Sequence, residues 1–371
     1  MPDELGTVMP VPIVNAPAIP VIASFEAEPM GVSQSWSAVS YVNLLAEDRV
    51  RDVTVSRETS MGTDLYEALQ ADIAYEALDA DVSRETSFDT PIAREAMQAV
   101  KVRNVRQQTW PTPQQRRIIT VANQKGGVGK TTSAVNVAMA LALHGLRVLL
   151  IDLDPQGNAS TALGVEHTAG TPSVYDVLLG GMSLAEVAVP VEAAPLMRCV
   201  PATIDLAGAD IELASQVARE HRLRRALAAY DERVDYVIID CPPALGLLTL
   251  NALVAAREIL IPIQCEYYAL EGLAQLLNTV ELVKSQLNET LEVSTVLLTM
   301  YDSRTRLADQ VADDVRAHFG DKVIGSVIPR NVRVSEAPGY GQTVITYDPG
   351  SRGAVSYVDA AREIAERGAA G

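Results

Sequence analysis

Cysteine, histidine and aromatic side chains are all scarce in this chain. Its 371 residues include three cysteines and four histidines, and Phe, Trp and Tyr together make up 5%. Cys199, Cys241 and Cys265 show no Cys-x-x-Cys spacing, so a zinc ribbon or a disulfide framework is not expected. They read instead as small core residues in a reducing, cytoplasmic setting. Long unbroken apolar runs are also missing. The stretch from Val8 to Phe25 lacks a basic leader and is interrupted by Pro10, Pro12, Pro17 and Pro20, which argues against an export signal or a membrane span.

Lysine is absent from the first hundred residues, which carry 17 acidic and 5 basic side chains. Residues 101–371 carry 30 acidic and 25 basic ones. The net charge of −17 therefore lies mostly in the first hundred residues. The remainder is near balance and can carry a basic patch, so the acidic total does not exclude nucleic acid as a partner.

Periodicity divides the chain in the same place. Residues 1–100 show no sustained hydrophobic period and read as a largely disordered acidic extension. Short helices are expected at Asp64–Leu78, from Leu65, Leu69 and Ile73, and after Thr90, from its cap position before Pro91. Residues 101–116 form a basic, proline-interrupted linker. From Arg117 on, apolar runs alternate with helical stretches: Ile118–Ala122, Arg147–Ile151, Met197–Val200, Tyr236–Ile239, Ile259–Ile263, Val293–Thr299 and Val323–Val327. This alternation predicts an α/β fold over 117–371, a doubly wound, mostly parallel sheet with helices on both faces and a site at the strands' carboxyl ends.

The segment with the most chemical content lies between the first of these strands and a helix. It reads Lys125-Gly126-Gly127-Val128-Gly129-Lys130-Thr131-Thr132. Its glycines let backbone N–H groups turn inward around phosphate oxygens, and the helix start adds partial positive charge. Lys130 is placed to reach the β and γ phosphates of a nucleotide, and the Thr131 hydroxyl to ligate Mg²⁺. Two more strands end in acid: Asp152-Leu153-Asp154-Pro155-Gln156-Gly157-Asn158 and Asp240-Cys241-Pro242-Pro243. Asp240 is the second expected Mg²⁺ ligand, acting through water.

The loop departs from the common pattern by placing Gln124 where a glycine is usual and by adding Lys125. That second lysine resembles the signature lysine of the deviant Walker A group, which includes ParA, MinD and the nitrogenase iron protein. Three further segments are similar to chromosomal ParA, also called Soj: Asp154-Pro155-Gln156-Gly157-Asn158, Gln264 through Leu273, and Ile328 through Pro338. The resemblance runs from about residue 117 to the last residues. It implies an ATPase using ATP and Mg²⁺, with Lys125 crossing to a second subunit's phosphates, Asp154 orienting the attacking water and Asp152 beside the metal's water shell. It also implies an ATP-dependent homodimer that binds DNA without sequence preference, is released on hydrolysis stimulated by a ParB-type centromere-binding partner, and sits on the nucleoid. Family positions place DNA contacts at Arg304, Arg306, Arg330 and Arg333, while Pro329 and Arg330 compete for a role beside the adenine.

Two relatives of different function were weighed. A MinD-like, membrane-cycling protein needs an amphipathic helix with a basic face and bulky anchors. Residues 357–367 balance in charge and have a small apolar face, so they read as a docking helix with no membrane partner. An iron protein needs cluster cysteines that this pattern does not offer.

One repeat remains. Val-Ser-Arg-Glu-Thr-Ser occurs at 55–60 and again at 82–87. The palindromic centromere word associated with ParB, TGTTTCACGTGAAACA, reads Val-Ser-Arg-Glu-Thr in one frame. Thr54 and Asp81 can both supply its leading T. Three readings of the first hundred residues stay open: a solvating tail with no chemistry of its own, a docking segment for a pole or cell-cycle partner centred after Thr90, and peptides that are traces of centromere sites in the DNA, with the corollary that intergenic sequence is read here as protein.

Overall fold

A computed structural model describes residues 109–267 and 273–369. The expected disorder at 1–60, the two short helices before residue 108 and the repeats lie outside the described residues. So does the 268–272 part of the family-like segment.

Seven strands form one sheet: β1 Arg117–Val121, β2 Val148–Asp152, β3 Val189–Val191, β4 Ala194–Val200, β5 Tyr236–Asp240, β6 Glu258–Gln264 and β7 Glu292–Thr299. Their spatial order is β3-β4-β2-β5-β1-β6-β7. All neighbours run parallel except β3, which pairs antiparallel with β4 at one edge. The strands are apolar on both sides because both faces are covered. Alternate residues take opposite faces. Ile119, Val121, Val148, Leu150, Tyr236 and Ile238 join one core with helices Lys130–Leu143 and Arg352–Ala369. Leu149, Ile151, Val237 and Ile239 face a second core with helices Val174–Leu179, Arg222–Ala228 and Leu247–Ala255. Ile259, Ile261, Ile263 and Leu298 belong to a third, under Leu273–Gln286 and Arg306–Phe319.

The helix Lys130–Leu143 is buried along nearly its whole length. The sheet covers one side of it, and the alanine-rich face of Arg352–Ala369 covers another. Ala354, Ala360, Ala361 and Ala365 are all inaccessible, and such small residues let two helices approach closely. The Tyr357 hydroxyl meets Ser133 Oγ at 3.3 Å. The last helix thus docks on the domain, as its charge balance predicted. Among the described residues no helix is long and apolar enough to cross a membrane.

Two features differ from the sequence expectation. The run Val323–Val327 is not a strand but joins β7 through a single bridge, Val296 to Val323. Gly325 gives its amide to the Glu363 carboxylate, at 2.9 Å, which takes that residue out of any ladder. The edge strand β3, only three residues long with Pro190 at its centre, carries no sequence signal.

The end of the expected linker is built into the domain. Trp110 is 6% exposed. It donates its amide to the His144 carbonyl at 3.1 Å and stacks on the His144 ring at 3.9 Å and 6°. Residue 144 caps the end of the helix that starts at Lys130. Replacing a buried tryptophan by alanine costs about 3–5 kcal/mol, so Trp110→Ala is expected to lower unfolding free energy by that order in urea titration. A loss below about 1 kcal/mol would show that this stack is an ornament.

Candidate functional site

Strand order brings the site together. Because β5 lies between β1 and β2, Val121 pairs with Asp240, which pairs in turn with Asp152. The loop leaving β1 therefore passes directly over two carboxylates at the carboxyl end of the sheet.

The loop's shape is fixed by its neighbours. Asn123 Oδ1 accepts the Lys125 amide at 3.0 Å, and its Nδ2 donates to the Pro262 carbonyl at 2.8 Å. The Thr299 hydroxyl donates to the Val128 carbonyl at 2.8 Å. Gly127 and Gly129 adopt φ of 74° and 89°, which side chains with a Cβ rarely tolerate. A Cβ at Gly126 or Gly127 would meet nothing within 4 Å, so the loop walls an open cradle.

The charges beneath this cradle are unusual. Lys130 is 7% exposed and its Nζ donates to the Lys125 carbonyl at 3.3 Å. Burial pushes the Lys130 ammonium below its ordinary pKa, and Asp240 and Asp154 oppose that shift. Asp240 is wholly buried, and among the described residues neither of its oxygens has a hydrogen-bond partner of good geometry. Burial first, and Asp152 next, raise its carboxyl well above the usual range; the neighbouring Thr131 hydroxyl and Lys130 pull it back. An orphaned buried carboxylate is rare in native proteins, and its chemistry suits it to hold a cation. Thr131 and Asp240 are the donor set that Mg²⁺ needs from a protein when phosphates supply the rest.

Asp152 behaves differently from Asp240. Its oxygens accept the Ser160 amide at 2.9 Å, the Ser160 hydroxyl at 2.8 Å and the Asp154 amide at 3.1 Å. Burial pushes its carboxyl up to about 6, against those hydrogen bonds. Asp152 thus braces the loop that carries Asp154. Asp154 is 9% exposed and acts electrostatically on Lys130 and Asp240. The loop ends at Gly157, at φ 62°, where a Cβ would lie 2.5 Å from His167 and 3.0 Å from the Ala202 carbonyl.

A cavity of about 490 Å³ opens beside the cradle, lined among others by Thr132, Gln264, Thr299, Pro329, Arg330 and Tyr357. Pro329 and Arg330, expected at the base of a nucleotide, are therefore at the site. At its mouth Lys125 Nζ lies 3.7 Å from Glu266 Oε2, and Arg330 Nη2 lies 3.3 Å from Glu266 Oε1. Sequence reading did not assign Glu266 a role. Its signals were its place in the family-like segment Gln264 through Leu273 and its position two residues beyond the end of β6.

The four arginines expected to meet DNA fall on two segments joined by a bridge between Tyr301 and Pro329. Arg304 makes a two-point ion pair with Asp302, at 2.8 and 2.7 Å, and holds that carboxyl down to about 2. Arg333 pairs with Glu336 at 3.0 Å and Asp348 at 3.3 Å. Arg306 opens the helix Arg306–Phe319.

Comparison with known proteins agrees with this geometry. A family described as an AAA domain matches residues 116–293. The sporulation initiation inhibitor protein Soj of Bacillus subtilis is 54% identical over 252 residues, 68% of this chain and 99% of that protein. The chromosome partitioning protein ParA of Caulobacter vibrioides is 53% identical over 253 residues, 68% of this chain and 94% of that protein. Among solved structures, cobyrinic acid a,c-diamide synthase from Mycobacterium smegmatis with bound ADP and magnesium is 41% identical. It superimposes with a TM-score of 0.58 over 68% of this chain and 93% of that one.

Proposed function

Because this chain belongs to the ParA/Soj family of chromosome-partitioning ATPases, we propose that it works as an ATP-timed clamp. Two subunits close face to face over two ATP molecules, the pair holds DNA without sequence preference, and hydrolysis releases it. The backbone cradle at Gly126–Gly129 and the buried Lys130 bind the phosphates. Thr131 and Asp240 hold Mg²⁺, which when bound supplies positive charge against the phosphates and gives the Asp240 carboxylate a partner. Asp154 orients water for attack, and Asp152 holds the Asp154 loop in place through Ser160. A ParB-type partner speeds hydrolysis, and the cycle of binding and release moves the chromosome origin across the nucleoid.

The observation that carries this reading is Lys125. The phosphate cradle already has a lysine in Lys130, 7% exposed within it. Lys125 instead pairs with Glu266, which also meets the cavity-lining Arg330, and keeps 31% of its side chain exposed. A cation in that position is suited to a second triphosphate, because electrostatic stabilisation of transferring phosphoryl groups is worth most where water has been excluded. The packing of the last helix over Lys130–Leu143 favours this reading over the membrane-cycling alternative.

The test is retention on non-specific duplex DNA against salt, with ATP–Mg²⁺ and with ADP–Mg²⁺. The ATP form is expected to bind at least about tenfold more tightly and to show the steeper salt dependence, because pairing doubles the phosphate contacts. Equal affinity with the two nucleotides would sink the clamp.

A further inference from the structure

The carboxylate of Glu266 offers its two oxygens in different ways. Oε1 is fixed: it accepts from the Gln264 side-chain amide at 2.6 Å and from Arg330 at 3.3 Å. The backbone beneath it is also anchored, since the Cys265 amide donates to the Thr299 carbonyl at 3.1 Å. The position of the carboxylate therefore does not depend on Lys125. Among the described residues, the cation on Oε2 is Lys125 alone, at 3.7 Å, with both side chains partly exposed. An exposed pair at that distance is weak and readily broken. Glu266 is thus a rigid acceptor holding its lysine loosely, at the mouth of the site.

The proposed pairing makes demands on this arrangement. A lysine that reaches into the other subunit's triphosphate must leave its own Glu266. A closed pair with two-fold symmetry uses the same patch on both sides, so every departure is matched by an arrival. We propose that Glu266 exchanges its own Lys125 for the partner subunit's Lys125 when two subunits close, and so acts as the positioning residue that receives the crossing lysine. This inference rests on the clamp reading above. Closure excludes water from the mouth, which strengthens the new ion pair relative to the exposed one it replaces. The carboxylate then favours the pair over the single subunit, although it carries negative charge close to ATP.

The experiment measures pairing of the full chain by sedimentation, with Mg²⁺ and an ATP analogue whose β–γ bridge resists hydrolysis. Wild type, Lys125→Ala, Glu266→Gln and the double variant are compared. Glutamine keeps the size of the side chain and removes its charge. Glu266→Gln is expected to raise the subunit concentration for half-pairing about 10- to 100-fold. Binding of the analogue to single subunits, measured far below that concentration, should stay equal or tighten. A residue acting through Lys125 should add nothing in the Lys125→Ala background, whereas a merely structural role would lower thermal stability and add to the Lys125→Ala loss. If Glu266→Gln pairs as well as wild type or better, or if its loss is fully additive, the exchange is wrong. If wild type does not pair, or Lys125→Ala pairs as wild type does, the clamp reading falls and takes this inference with it. If Lys125→Ala fails to pair and Glu266→Gln is normal, only the inference falls.

Discussion

A Lys125→Ala chain is expected to bind ATP–Mg²⁺ as a single subunit and yet to turn it over about 100- to 1000-fold more slowly than wild type, in the range seen when one preorganised charge-stabilising group is removed. The two lysines of the loop do separate work. Lys130 lies inside the cradle, and its Nζ bonds to the loop's own Lys125 carbonyl. The backbone of Lys125 helps to shape the loop, while its side chain pairs with Glu266. Truncating it leaves the glycine walls, the Asn123 bonds and the buried aspartates in place, so nucleotide affinity should change little. The charge lost is the one supplied to a second site. Turnover, pairing and ATP-dependent DNA retention should therefore fall together, and nucleotide binding should survive. Calorimetry of nucleotide binding beside a phosphate-release assay checks this; wild-type turnover in the variant would refute the crossing role.

Asp240→Asn should separate stability from activity in the opposite way. In the free chain Asp240 is a buried carboxylate with no hydrogen bond of good geometry among the described residues, only the neighbouring Thr131 hydroxyl, and it lies next to the buried Asp152. Both groups have raised pKa values, Asp152 to about 6, against about 3.9 for an unfolded aspartate. The folded chain therefore binds protons that the unfolded chain has released. Their contribution to stability is fully present below about pH 4 and is lost as pH rises through about 6 and beyond. An uncharged amide removes the desolvation cost and the like-charge repulsion together. The nucleotide-free variant is expected to be more stable than wild type by about 1–2 kcal/mol at neutral pH. It should also show a flatter dependence of stability on pH and lose about 1000-fold in Mg²⁺-dependent turnover. A variant that melts below wild type at pH 7 would show that the carboxylate is satisfied in the free protein after all.

The parts of this site that could be read from the sequence were those in which local chemistry and local structure coincide. The glycines and lysines of residues 125–130 are contiguous, and both acidic strand ends follow unbroken apolar runs. Parallel strands buried on both faces announce themselves, which is why β1, β2, β5, β6 and β7 were visible. Val323–Val327 is apolar at three of its five positions but is broken by Gly325 and Ser326; Ile324 and Ile328 fill the core from an irregular segment, and a glycine amide captured by Glu363 is a tertiary event. Trp110 looked like part of a linker because its partner, His144, lies 34 residues on. The difference between Asp152 and Asp240 was hidden for the same reason. Both are strand-end aspartates in sequence, and only the position of Ser160 satisfies one and leaves the other bare. Glu266 needed the fold to bring the ends of β6 and β1 together before its two cations could be seen.

The cover that Arg352–Ala369 lays over the phosphate-loop helix bears on how the protein is made. Arg117, which opens β1, donates to the Ile364 carbonyl at 2.6 Å, so the last helix is tied to the first strand at one point as well as packed along the phosphate-loop helix. On the ribosome, residues 117–150 emerge long before residues 352–369 exist, and contacts so distant in sequence form late. A growing chain therefore carries a phosphate-loop helix with one flank bare, and its nucleotide pocket has no Tyr357 lining.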